Sequence, residues 1–135
     1  MGDSSYQRRE VRLYIDHAHQ MLVVADHNLD NDFYASAVNR AYYAVFYAAN
    51  ALLSTRHLSR NKHSGVISAF RQEFVKPGHI EAEYSDLYGR IMDHRHVSDY
   101  ELELPIEDDQ ARDDVNDARR FVLRVEEWLK QEGWI

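Results

Sequence analysis

Residues 33–54 read FYASAVNRAYYAVFYAANALLS. Wound at about 3.6 residues per turn, this segment carries apolar side chains on nearly every side. A helix of that kind is stable only when other elements enclose it. Its recurring alanines leave room for those neighbours to come close. The longest apolar run within it, AVFYAANALL, is about half of the ~20 residues that a bilayer requires. The enclosing layer is therefore expected to be protein, with this helix at the centre.

The flanking segments have the pattern that such a layer needs. Val11, Ile15, Ala18, Leu22 and Ala25 alternate by three and four, which predicts an amphipathic helix from about Ser5 to His27. HNLDNDF, residues 27–33, reads as a break, with Asp30 or Asp32 capping the central helix. TRHLSRNKHS, residues 55–64, is a polar, basic connection. A shorter helix over 64–75 follows, capped by Ser64, with Val66, Ile67, Phe70 and Phe74 inward and KPG at 76–78 as its stop. A fourth helix spans 80–93 on Ile80, Tyr84, Leu87, Tyr88 and Ile91. Pro105 bars helix through ELELPIEDD. The last helix covers 108–131, with Ala111, Val115, Ala118, Val122, Val125 and Leu129 on one face. Asp108 and Asp109 sit at its positive N-terminal end. No strand period and no internal repeat occurs. The expected fold is all-α: an up-and-down bundle of four to five helices, one domain over residues 1–135.

Composition narrows the function. Gly 5 and Pro 2 in 135 residues suit long helices. There is no cysteine, hence no disulfide, thiolate nucleophile or zinc-thiolate site. The net charge of -7 argues against a broad basic face for duplex nucleic acid, so contact with RNA would be local. The polar start MGDSSYQRRE has no apolar core of a signal peptide, and the expected location is the cytoplasm, off the membrane.

Three constellations could carry chemistry. DHRHVSDYE, residues 93–101, follows the fourth helix. In one reading Arg95 pairs with Asp99 and Tyr100 packs inward. In another, Arg95 holds a phosphate and His96 or Tyr100 moves a proton. A metal set from His94, His96, Asp93 and Asp99 lacks a distant residue to complete it, so no metal or cofactor is expected. Asn39, Tyr43, Tyr47 and Asn50, with Arg40 beside them, follow one side of the central helix. They either pack the core or line a cleft or self-association face. In RNKHSG, residues 60–65, Lys62 and His63 precede a helix N-terminus, where an anion could bind, or simply form a solvated loop.

The ordered blocks SAVNRAYYAVFYAANALL, KHSGVISAFRQEFVKPG and RHVSDY resemble the small HEPN-domain proteins of bacteria and archaea, from about Tyr34 to Tyr100. The resemblance implies a helical bundle that dimerises. It also implies a metal-independent ribonuclease or toxin, often paired with a minimal nucleotidyltransferase antitoxin. The family signature is an arginine, then a polar residue, then a histidine a little over one helical turn further on, with two copies meeting across the dimer. Arg95 matches the arginine and His96 the polar position. Tyr100 stands where the histidine is expected, and a tyrosine, with a pKa near ~10, is a poor base at neutral pH. Arg56 and His63 fit the spacing numerically but lie in the wrong part of the fold for the motif.

Two functions compete. One is a dimeric, toxin-type ribonuclease using Arg95, His96, Asp99 and Tyr100. The other is a non-catalytic module that binds a nucleotidyltransferase, a nucleotide or RNA through Asn39, Arg40, Tyr43, Lys62 and His63 together with Arg95 and Tyr100.

Overall fold

The computed structural model describes residues 2–59, 61–100 and 105–135; the side chains of residues 2–4 and of Tyr100 lie outside that description. Among the described residues five α-helices follow one another with no strand between them: α1 (Gly2–Asp30), α2 (Tyr34–Ser54), α3 (His63–Phe70), α4 (Ala82–Tyr100) and α5 (Asp108–Gln131). No described helix is long and apolar enough to cross a membrane.

The central segment is enclosed as its composition requires. α2 packs against α1, α3, α4 and α5. Ala37, Val38, Ala41, Tyr42, Ala44, Val45, Ala48, Ala49, Leu52 and Leu53 are all fully buried along it. The facing stripes are those that periodicity marked. Val11, Ile15, Ala18, Leu22 and Ala25 on α1, and Ala111, Val115, Ala118, Val122, Val125 and Leu129 on α5, are buried.

The helix ends depart from expectation, each for a local reason. α1 runs to Asp30 because Leu29, buried, adds one more step to its stripe. Neither Asp30 nor Asp32 caps α2. Asp30 ends α1, and Asp32 closes the turn at φ 63, in the left-handed region that Asp tolerates better than most residues. The Asp32 carboxylate accepts from the Tyr34 hydroxyl at 3.0 Å, and Phe33 is the N-cap residue.

Ser64 is not a cap either. α3 starts one residue earlier, with extended Lys62 at the N-cap and no side-chain cap bond. α3 runs directly into a π-helical turn, Arg71–Val75, where Lys76 N–H reaches Arg71 C=O at 2.9 Å. Gly78, at φ 90, then turns the chain as only glycine does without strain.

The largest departure is α4. It does not stop near residue 93 but continues to Tyr100, so DHRHVSDY forms its last turns. No Gly or Pro interrupts residues 90–100, and Ile91 stays buried while Met92 and Val97 are half-buried. A polar segment on the rim of a bundle can stay helical when a few of its residues still face inward.

Close packing at α2 makes a test. Ala48 is fully buried on the central helix. Ala48→Leu should lower stability by about 1–3 kcal/mol through overpacking, read as a lower midpoint in urea unfolding. An unchanged midpoint would show that space exists there after all.

Candidate functional site

Tyr42 is fully buried, and a buried phenol needs a partner for its hydroxyl. Its Oη lies 2.9 Å from Nδ1 of His63, the first residue of α3. The imidazole sits among rings of α2: Phe46 at 4.8 Å, Tyr42 stacked at 5.4 Å and 22°, and Tyr43 edge-on at 5.6 Å. Arg95 comes in from α4. Its Nη1 is 3.1 Å from the same His63 Nδ1, and its guanidinium carbon lies 4.8 Å from the Tyr42 ring centre and 5.6 Å from that of Tyr43. On its other side Arg95 Nε donates to Asp99 Oδ2 at 3.2 Å. Three helices thus bring a cation, a histidine and two tyrosines to one point.

The chemistry of the donors fixes the protonation. A guanidinium has N–H groups and no acceptor. His63 Nδ1 must therefore accept from Arg95, so the neutral ring carries its proton on Nε2. Burial pushes the His63 pKa below its ordinary value, and the charge of Arg95 adds to the effect. Burial pushes the Tyr42 hydroxyl up to about 12, against the opposing pull of Arg95. At neutral pH both rings are uncharged, and Arg95 with Asp99 holds the charge of the site.

The other expected residues are distributed around this cluster. Asn39 and Arg40 lie one turn back on α2 and line, with Asp99, a small cleft of about 150 Å³. Arg40 Nη1 also lies 3.7 Å from Met21 Sδ. Lys62 is exposed beside His63. His96 is exposed, and as the next residue on a helix it points about 100° away from Arg95. The expected roles of Tyr100 fall on a side chain outside the described residues.

The polar stripe of α2 does not stay together. Tyr43 joins the site, Tyr47 packs against His17 and Tyr14, and Asn50 is buried. His94 turns to α5, where Nδ1 meets Asp114 Oδ2 at 2.7 Å. Burial raises the Asp114 pKa although His94 pulls it down. With His94 on Asp114 and Asp99 on Arg95, the suggested metal ligands are drawn apart. Among the described residues no three His, Asp or Glu side chains are placed to hold a metal ion. Wider grooves, of about 600 Å³ each, lie along α1 at Tyr6–His17 and between α4 and α5 at His94 and Asp114. Both are open; the first is lined by Tyr6, Arg9, Tyr14 and His17 from α1 alone, and the second by Arg90 and His94 among carboxylates, whereas the Arg95 site draws its residues from three helices.

Tyr42 was not expected at the site. Its signal was available in the sequence: it sits four residues after Val38 and four before Phe46, on the inward face, where a hydroxyl usually finds a partner.

The model of the HEPN domain matches residues 11–128. The chain belongs to the HEPN domain family. This HEPN chain is 38% identical over 93% of its length to a "UPF0332 protein" of Thermotoga maritima, covering 89% of that protein. It is 37% identical to "Putative toxin MJ0605" of Methanocaldococcus jannaschii, over 92% of each chain. The fold is similar to the crystal structure of TT1696 from Thermus thermophilus, with a TM-score of 0.75 at 18% identity, over 88% of this HEPN chain and 98% of that one.

His63 yields a pH prediction. Its folded-state pKa is lowered, so the unfolded chain takes up the proton first as pH falls. The stability from the neutral contact is present above about pH 6.5, the ordinary value, and is lost as pH drops through the folded one. In an NMR titration the His63 midpoint should lie below ~6.5 and rise toward it in Arg95→Gln. A midpoint at or above the ordinary value in the wild type would contradict the arrangement.

Proposed function

We propose that this HEPN chain is the toxin of a toxin–antitoxin pair. In this reading it acts in the cytoplasm as a homodimer on RNA phosphodiesters held by Arg95, without a metal cofactor. The observation that carries the reading is the setting of Arg95. Its guanidinium is half-buried, laid over Tyr42 and Tyr43, hydrogen-bonded to Asp99, and placed beside a neutral histidine. A planar guanidinium matches the oxygens of a phosphate through paired N–H bonds. The Asp99 partner is one exposed carboxylate, which a phosphate carrying Arg95's preferred geometry can replace. Two copies would bring two such arginines to one phosphate and concentrate positive charge locally on a chain of net charge -7. The toxin name of a close relative supports the biological role. A nucleotidyltransferase is the proposed antitoxin.

A second reading is a binding module that grips RNA or a partner without cutting. Tyr100 in the place of the family's histidine favours it.

The test is cleavage of a mixed RNA pool by the purified protein in EDTA. The wild type should cut, and Arg95→Ala should reduce the rate by about 10²–10³-fold, the usual cost of removing a charge-stabilising donor. RNA that is bound by the wild type but left intact would select the binding module. RNA neither cut nor bound would end the RNA-cleaving reading and leave only a module that binds a partner protein.

A further inference from the structure

The linear motif leaves this chain without a histidine one turn past Arg95, yet a histidine touches Arg95 from 32 positions upstream. We propose that His63 is the proton acceptor of the Arg95 site, released for that role when a phosphodiester draws Arg95 away from its Nδ1. The proposal rests on the RNA-cleaving reading given above.

The hydrogen bonding around the ring carries it. With Arg95 docked, Nδ1 is obliged to be an acceptor, because a guanidinium can only donate. The ring proton then sits on Nε2, and a nitrogen bearing a proton is no base. Tyr42 Oη lies on the same Nδ1 at 2.9 Å and differs from Arg95 in one respect. A hydroxyl can donate or accept. Once Arg95 turns its N–H groups onto phosphate oxygens, the ring proton can move to Nδ1, where the Tyr42 oxygen accepts it. Nε2 is then left with a lone pair. No hydrogen-bond partner engages Nε2 among the described residues. Tyr42 is the positioning residue, held protonated by its burial, and Phe46 and Tyr43 fix the plane of the ring. The titratable groups facing His63 are Tyr42 and Tyr43 from α2 and Arg95 from α4, with Asp99 behind Arg95.

The step is an in-line transesterification within RNA. Nε2 takes the proton of the 2′-hydroxyl as that oxygen bonds to phosphorus. The bond from phosphorus to the 5′ oxygen breaks, and that oxygen takes a proton from water. The hydroxide so formed recovers the proton from the imidazolium. The products are a 2′,3′-cyclic phosphate and a 5′-hydroxyl end. The same bonding makes the site self-gating: in its absence of substrate, Arg95 keeps His63 in the tautomer that cannot act.

The experiment pairs rates with binding. Cleavage of one RNA oligonucleotide is followed from pH 5 to 8 in the wild type and His63→Gln, and binding of the 2′-deoxy form of that oligonucleotide is measured for both. The expected result is cleavage by the wild type with a rate that falls as pH drops through the His63 midpoint. His63→Gln should lose about 10²–10⁴-fold in rate, as expected for removal of an acid–base group, and should lose that acidic limb. It should still bind the 2′-deoxy oligonucleotide within about threefold, because Arg95 remains; that retention also reports a folded variant. Full activity of His63→Gln with an unchanged pH profile overturns the assignment and leaves the RNA-cleaving reading standing. A rate loss with the acidic limb intact also overturns it, since a merely structural role would look that way. A wild type that cuts nothing overturns both.

Discussion

The enclosure of α2 governs everything else in this molecule. An apolar helix with alanine on several sides can be buried completely only if its neighbours come close on each of those sides. That leaves no room for water near its inward polar atoms. Tyr42 carries such an atom, and its hydroxyl must be satisfied by a side chain. His63, the first residue of α3, does this. Arg95 then closes over both rings from α4. The site thus forms around one buried hydroxyl of the central helix.

Burial also decides which groups can titrate. Taking His63 and Tyr42 out of water moves their pKa values apart, one down and one up, and the adjacent guanidinium deepens the first shift and opposes the second. A histidine and a phenol that sit 2.9 Å apart are therefore both neutral at neutral pH. This is the setting in which a tautomer, and not a net charge, is the variable that a bound anion can change.

Much of the fold was legible in the sequence because three-and-four spacing survives translation into packing. Every residue of the stripes on α1 and α5 is buried where its spacing put it. The ends of helices were less legible. Asp32 and Ser64 are good caps by type, yet a left-handed φ at Asp32 and an extended Lys62 took those positions out of use. The end of α4 was less legible too: DHRHVSDY is polar because it lies on the rim of the bundle, and polarity alone does not stop a helix. Within the site, Arg95, Asp99, Tyr43 and His63 were each marked, but His63 only as a residue of an anion-binding or solvated segment before α3, with no contact to Arg95. Spacing along one helix reports neighbours on that helix alone; a contact across 32 positions is written only in how three helices pack.

The continuation of α4 through residue 100 has a consequence for when the site exists during synthesis. Tyr42 and His63 leave the ribosome first, and the arginine that completes them follows only with the end of α4. A chain cut off before that helix is made keeps the histidine and tyrosine but lacks the guanidinium that lies over them. The site is thus completed late in synthesis, after α2 and α3 have already been translated.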